Sequence, residues 1–223
     1  MKEKELEERV LINKKQFLEI QKYIQENYPN TPVVLQKNRY LMDSAFSLKN
    51  KKNVLRIRSF PSLNKRELTY KVKGDDGDIE FNQSLTYYWY SQIIRYSSLP
   101  DGEVKDELLK AGVNIGSLRT MCELVTNRQE VKLDKYTIVL DVNSYNGITD
   151  YDLEIESKVS KTHAKEVILQ FCHQFGLEYK NDYPTKSRRA FESLLRRIWN
   201  WLFFTKFTIV VSWTIGVFTC PFC

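Results

Sequence analysis

The sequence predicts an α+β domain: antiparallel strands in the majority, with helices packed against them. Three observations predict it. Apolar and polar residues alternate through several short stretches, such as Leu55-Arg56-Ile57-Arg58 and Leu68-Thr69-Tyr70-Lys71-Val72-Lys73, the period-two pattern of a strand with one buried face. Helical spacing is confined to a few longer segments, among them Phe17, Ile20 and Ile24, and later Ala164, Val167, Ile168 and Phe171. Gly74-Asp75-Asp76-Gly77 and Asn146-Gly147 read as turns between strands. At 223 residues, 42% hydrophobic and 28% charged, the chain can bury one sizeable core and is too apolar to be disordered.

The first element is an extended stretch, Glu5-Leu6-Glu7-Glu8-Arg9, in which Glu5, Glu7 and Arg9 share one face and Leu6, Glu8 and Val10 the other. A helix over Lys14 to Glu26 follows, with Asn13 as its N-cap, and Pro29 and Pro32 close it. Val33 to Asp43 reads as a strand with Gln36, Asn38 and Tyr40 on one side. Phe46 to Lys52 reads as a loop or short turn. Val54 to Arg58 is a strand that sets Leu55 and Ile57 against Arg56 and Arg58. After a turn at Pro61 to Lys65, Leu68 to Lys73 opposes Leu68, Tyr70 and Val72 to Thr69, Lys71 and Lys73; Ile79 to Gln83 then carries Glu80 and Asn82 on its polar side.

Thr86 to Tyr96 is crowded with aromatic residues at the spacing of a helix packed on a core, and Gly102 to Lys110 is a second short helix stopped by Gly112. Three strands follow, Leu118 to Lys132, Tyr136 to Tyr145 and Tyr151 to Ser157, bearing Arg128 and Glu130, then Asp141 and Asn143, then Asp152, Glu154 and Glu156. Lys161 to Phe175 is a helix ended by Gly176, and Tyr183 to Arg197 is the last helix, with Lys186, Arg188 and Arg189.

Charge and cysteine content narrow the function. There are 34 basic and 28 acidic residues, a formal net charge of +6, which suits phosphate-rich partners without choosing among them. The basic residues alternate with acidic ones instead of forming a separate stripe, so nucleic acid is not the expected partner. The chain opens with charges and not with the apolar run of a signal peptide, so its four cysteines, Cys122, Cys172, Cys220 and Cys223, are read as thiols. The Cys220-Pro221-Phe222-Cys223 spacing lacks a second pair to complete a metal site, and the two histidines, His163 and His173, lie away from any nucleophile motif.

The polar faces, taken together, are unusual for a solvated sheet. Pairs of Arg or Lys two residues apart recur on successive strands and are flanked at both ends of the domain by Glu-x-Glu pairs. A sheet in water accounts for alternation alone. A sheet curled so that these faces look inward would put cations where phosphate oxygens sit and carboxylates where Mg²⁺ or Mn²⁺ could bridge them.

These residues resemble the CYTH superfamily, the triphosphate tunnel metalloenzymes, in its bacterial YjbK-like branch. Glu5-Leu6-Glu7-Glu8-Arg9 is similar to the Glu-x-Glu-x-Lys signature. The ordered segments Gln36-x-Asn38-x-Tyr40 with Asp43, Leu55 to Arg58, Leu68 to Lys73, Arg128-x-Glu130, Asp150 to Glu156 and Lys186 to Arg189 carry the likeness over roughly residues 3 to 195. The resemblance implies an eight-stranded antiparallel β-barrel, a tunnel flanked by helices, over residues 1–197. It implies a divalent metal, Mg²⁺ or Mn²⁺, held by Glu5, Glu7, Glu154 and Glu156. By the same likeness Arg9, Arg56, Arg58, Lys71, Lys73 and Arg128 hold the phosphates of a small triphosphate, Lys186 and Arg189 cover one mouth, and Glu80 and Glu130 tether the cations. Glu5, Glu7, Arg9 and Lys71 are then the catalytic set. The implied activity is hydrolysis of inorganic triphosphate, thiamine triphosphate or a nucleoside triphosphate, with an adenylate cyclase of the same superfamily or a non-catalytic polyphosphate-binding or nucleotide-binding module as alternatives. Two departures are visible: Arg9 stands where the signature has lysine, and Tyr40-Leu41-Met42-Asp43-Ser44 stands where the family more usually has Tyr-Phe-Asp-Thr.

Residues 198–223 change composition to Trp, Phe, Ile and Val with Lys206 as the only charge. About 26 residues suffice for a helix to cross a bilayer core. Three readings stand: a tail anchor that leaves the main domain on the cytoplasmic side of a membrane, a non-native extension, or a segment packed on the domain.

Overall fold

The alternation seen in the sequence becomes one sheet whose two edges are joined by the same stretch of chain. The computed structural model describes residues 2–75 and 77–198. Strands β1 (Lys2–Glu5) and β2 (Glu7–Ile12) are separated only by Leu6. They are followed by β3 (Val33–Met42), β4 (Val54–Phe60), β5 (Lys65–Val72), β6 (Asp78–Ser84), β7 (Arg119–Lys132), β8 (Tyr136–Tyr145) and β9 (Ile148–Ser157). The hydrogen-bonded order is β1-β6-β5-β4-β3-β7-β8-β9-β2, antiparallel at every pairing. β1 pairs with β6 through Glu5 opposite Asp78, and β2 pairs with β9 through Glu7 opposite Glu156. Nine strand segments therefore make eight staves, because the first two are halves of one strand that closes the barrel. The Ser157 amide donates to the Leu6 carbonyl at 2.8 Å, which holds the seam at the break. The barrel is nearly closed, each half-strand pairing on one side only, and it fixes two populations of side chains, one inside and one outside.

The outside is apolar and carries the helices in two groups. α1 (Lys14–Asn27) and α5 (Lys161–Phe175) cover β2, β7, β8 and β9, packing Phe17, Ile20, Ile24, Val167, Ile168 and Phe171 on Val10, Ile138, Leu140, Leu153 and Ile155. Burial of each such side chain contributes roughly 2 kcal/mol, enough to hold helices that would be marginal alone. α1 begins at a capping box in which Asn13 and Gln16 exchange side-chain to backbone hydrogen bonds at 3.0 Å. On the other flank α2 (Ser47–Asn50), α3 (Tyr87–Tyr96) and α4 (Glu103–Lys110) pack Leu48, Ile93, Val104 and Leu108 on Leu41, Leu55, Ile57, Leu68, Tyr70 and Phe81.

Three details differ from the sequence reading. The segment read as a loop at Phe46 to Lys52 contains the short helix α2, which starts where Phe46 takes a left-handed conformation and Asp43 accepts from the Ser47 and Leu48 amides. α3 forms where expected, yet it buries only Ile93 fully while Tyr87, Tyr88 and Tyr96 face solvent. The chain is helical from 186 to 198, the last described residue, and this helix, α6, enters one end of the barrel. Among the described residues no helix is long and apolar enough to cross a membrane. The hydrophobic tail read at 198–223 lies, from residue 199 onward, outside the described residues, as do Cys220 and Cys223. Cys122 and Cys172 are free thiols.

Gly77, in the turn before β6, has φ +123°, and a Cβ there would lie 2.7 Å from the Glu5 carbonyl oxygen and 2.8 Å from a Leu6 methyl. Glycine is required at this point both for conformation and for the approach of the closing strand. Gly77→Ala is expected to cost about 2 kcal/mol or more, read as a lower urea midpoint. A midpoint equal to that of the unaltered protein would show that the seam tolerates the added methyl.

Candidate functional site

The inward faces of the staves line a cavity of about 1230 Å³, open between α6 and the loops that precede β4 and β6. Inside a closed eight-stranded barrel the side chains must either fill the space or surround a small ligand. Here they are charged. β4 contributes Arg56 and Arg58, β5 contributes Lys71, β7 Arg128, β9 Glu154 and Glu156, and the closing strand Glu5, Glu7 and Arg9.

Each charge has an opposite one nearby, and the pairing divides the cavity into zones. Arg128 makes a two-pronged contact with Asp141 at 3.0 and 2.8 Å and reaches Glu154 at 3.1 Å, with Glu130 and Glu156 each at 3.5 Å. Lys186, delivered by α6, contacts Asp141 and lies 2.9 Å from Glu154. Arg9 contacts Glu7 and lies 3.6 Å from Glu154. Glu154 is buried, which opposes ionisation, but Lys186, Arg9 and Arg128 around it hold its carboxyl well below the usual range.

Glu5, Glu7 and Glu156 converge elsewhere, each offering a carboxylate oxygen within 4.8 Å of the others. Lys71 contacts Glu5 and lies 3.4 Å from Glu7 and 3.2 Å from Asp78. Burial works against the Glu5 carboxylate, and Lys71 beside it brings its pKa below normal nonetheless. Glu156 receives less help. Burial, joined by Glu5, Glu154 and Glu130, raises its carboxyl to about 7 against the single opposing charge of Arg128. Three clustered hard-oxygen donors, one of them poorly neutralised, suit a divalent cation such as Mg²⁺.

The cations of β4 show the complementary imbalance. Arg58 has Asn38 at 3.0 Å and only a distant carboxylate, Glu67 at 3.7 Å; burial beside Arg56 and Arg128 lowers its pKa to about 10. Arg56 reaches Glu80 at 3.3 Å, yet its Nε is buried without an acceptor. Burial is nevertheless outweighed at Arg56 by Glu80 and Glu5, which raise its pKa, so of the two arginines Arg58 is the one left weakly paired in the cavity wall.

The structure gathers Glu5, Glu7, Arg9, Arg56, Arg58, Lys71, Arg128, Glu154, Glu156 and Lys186 around one cavity. It does not place Glu154 with the other three acidic residues, since Arg9, Arg128 and Lys186 surround it. Lys73 lies at the rim, half-exposed, 3.0 Å from Asp78. Arg189 is committed to Asp150 at 2.8 and 3.0 Å and to Asp152 at 2.5 Å, which pins α6 to β9. The sequence reading leaves out Asp78 and Glu67 and takes Asp141 only as a polar-face residue. Period-two alternation reaches Asp78 from Glu80 and Glu67 from Thr69 on the same strand faces.

Comparison with known proteins agrees with the geometry. The family profile described as CYTH domain matches residues 3–185. The Bacillus subtilis (strain 168) protein named "Putative triphosphatase YjbK" is 37% identical over 122 residues, 55% of this chain and 62% of that protein, so the match spans under two thirds of the relative's length. A Bacillus halodurans structure described as a "putative adenylate cyclase" is 28% identical with a TM-score of 0.77, covering 85% of this chain and 98% of the other. A Hippeastrum protein, described as revealing a dominant triphosphatase activity, shares the fold at a TM-score of 0.67 and 18% identity, over 86% of this chain and 96% of its own.

Glu156 gives the site a pH signature. Between pH 4.5 and about 7 the folded protein holds a proton that the unfolded chain has released, so the stability it contributes is present below 4.5 and is lost as pH rises through 7. In the presence of EDTA, Glu156→Gln is expected to gain stability relative to the unaltered protein between pH 5 and pH 8, measured by urea denaturation. Parallel curves would mean that Glu156 titrates normally.

Proposed function

We propose, from the fact that this chain belongs to the CYTH domain family, that it hydrolyses a small triphosphate with the help of a divalent metal inside its tunnel. The observation that carries the reading is the split of the cavity into an acidic cluster in want of a cation and an arginine zone in which Arg58 is weakly paired. A triphosphate with a bound metal satisfies both at once. The name of the Bacillus subtilis relative supports the same activity.

In this reading Glu5, Glu7 and Glu156 hold Mg²⁺ or Mn²⁺, which when bound supplies Lewis-acid stabilisation of charge on the transferred phosphoryl group. Glu154 keeps Arg9, Arg128 and Lys186 in register. Arg56, Arg58 and Arg128 grip phosphate oxygens, and the forked guanidinium groups fix their orientation better than point charges would. Lys71, held among Glu5, Glu7 and Asp78, stands between the metal cluster and the phosphates and is placed to neutralise charge that builds up in the transition state. A carboxylate of the acidic cluster orients the attacking water.

The second reading is favoured by the description of the Bacillus halodurans structure: cyclisation of ATP in a similar tunnel. A panel of inorganic triphosphate, thiamine triphosphate and nucleoside triphosphates, each with Mg²⁺ and Mn²⁺, separates the two. Phosphate release supports hydrolysis, cyclic AMP supports the cyclase, and tight binding without turnover indicates a binding module. Glu7→Gln is expected to lower kcat by about 100-fold or more while the circular dichroism spectrum stays unchanged. A folded variant with near-normal kcat would remove Glu7 from the metal site.

A further inference from the structure

On the outside of the barrel the register sets Lys37, Ser59 and Arg66 in one row across β3, β4 and β5, with Arg39 in the next row beside Glu123 of β7. Their chain neighbours Gln36, Asn38 and Arg58 line the tunnel, so these residues belong to the opposite, outer face of the strands. α3 lies against this face. The Arg66 guanidinium sits over the rings of Tyr87 and Tyr90, 5.3 and 5.7 Å from their centroids, while Arg39 lies 5.5 Å from the Tyr90 ring and contacts its hydroxyl. Arg39 is further tied to Glu123. Arg66 is matched by neutral groups, the two rings and the Asn64 side-chain oxygen at 3.3 Å, and Lys37 is exposed. Beside these cations α3 leaves Tyr87, Tyr88 and Tyr96 with 67%, 61% and 67% of their surface in water. Aromatic side chains exposed at this density on one short helix mark an interaction surface.

We infer that this ridge docks an acidic peptide segment of a partner protein, which sets carboxylates on Arg66 and Lys37 and an apolar side chain against Tyr87. The inference concerns the outer surface and is independent of the triphosphate reading. Charge complementarity selects the partner, because Lys37, Arg39 and Arg66 have only the Glu123 carboxylate among them. Stacking on tyrosine fixes the plane of the Arg66 guanidinium. Its N–H groups can then fork onto a carboxylate with little further ordering. Arginine and tyrosine are also the side chains that most often anchor protein interfaces. Single-stranded nucleic acid fits this surface less well. Arg66 covers the rings of Tyr87 and Tyr90, which takes up faces on which bases would stack, and Glu123 interrupts the cationic row that a phosphate backbone would follow. A second copy presenting the same ridge would set arginine against arginine.

The test pans a display library of random peptides, about twelve residues long, on the full chain and measures a synthetic copy of the consensus by fluorescence anisotropy. The consensus is expected to hold Asp or Glu beside an apolar residue. Arg66→Ser and Tyr87→Ser are each expected to weaken its binding about tenfold at an unchanged urea midpoint. Lys37→Glu, at an exposed position, is expected to do the same and decides the case if either of the others lowers the midpoint. The inference is overturned if no acidic consensus emerges, or if the variants bind the acidic peptide within about twofold of the unaltered protein. A single-stranded oligonucleotide that binds more tightly than the peptide, and loses affinity in the same variants, overturns it in favour of nucleic acid.

Discussion

Ionised side chains cannot be left alone inside a barrel, and that constraint organises this molecule. Taking a carboxylate or a guanidinium out of water costs several kcal/mol unless an opposite charge and hydrogen bonds replace the lost solvent. The tunnel meets the cost by placing Asp141 and Glu154 between Arg128 and Lys186, and Glu5 against Lys71. Such pairing does little for stability beyond breaking even. Its value is positional, since a charge held by several partners keeps its place. Charge compensation is incomplete at Arg58 on one side and at Glu156 on the other, while Arg56, paired with Glu80, lacks only an acceptor for its Nε.

The closing strand ties this electrostatic arrangement to the integrity of the fold. Glu5 lies in the half that pairs with β6, and Glu7 and Arg9 lie in the half that pairs with β9, with Leu6 between them. The carboxylates of the acidic cluster therefore come from both sides of the seam and from β9 across it. They converge only when the barrel is shut. α6 acts on the other end by a similar principle: Arg189 fixes the helix to Asp150 and Asp152, and Ala190 fills a small core with Tyr40, Cys122, Leu124 and Tyr145. Lys186, one turn earlier on the same helix, is thereby held at Asp141 and Glu154.

The strands were legible in the sequence because each has one apolar and one polar face, and a two-residue period survives without any knowledge of partners. Closure was not legible from the period, since an open sheet in water and a barrel with a wet interior produce the same alternation; the family resemblance supplied it. The Glu-x-Glu stretch could be read as a strand but not as two half-strands serving different neighbours, because that depends on where β6 and β9 end. Glu154 and Glu156 look alike in sequence and differ in place: Arg9 is opposite the first and Glu7 opposite the second. α2 escaped notice because its start rests on a left-handed Phe46 and on the Asp43 carboxylate, neither of which produces a hydrophobic period.

The two ends of the tunnel are physically unlike, and this gives the cavity a direction. Beside α6, the pairs that Lys186 and Arg189 make with Asp141, Asp150, Asp152 and Glu154 form the wall of the cavity, and a small apolar core lies behind them. At the other end prolines, Phe60, Leu63 and Leu133 join Arg128, Glu130 and Lys132 in the lining, so apolar surface makes up more of the wall. A polyanionic group is better matched among Arg56, Arg58 and Arg128 than against the proline and Phe60 walls. Its place therefore follows from the difference between the two linings, before any particular hydrogen bond is considered.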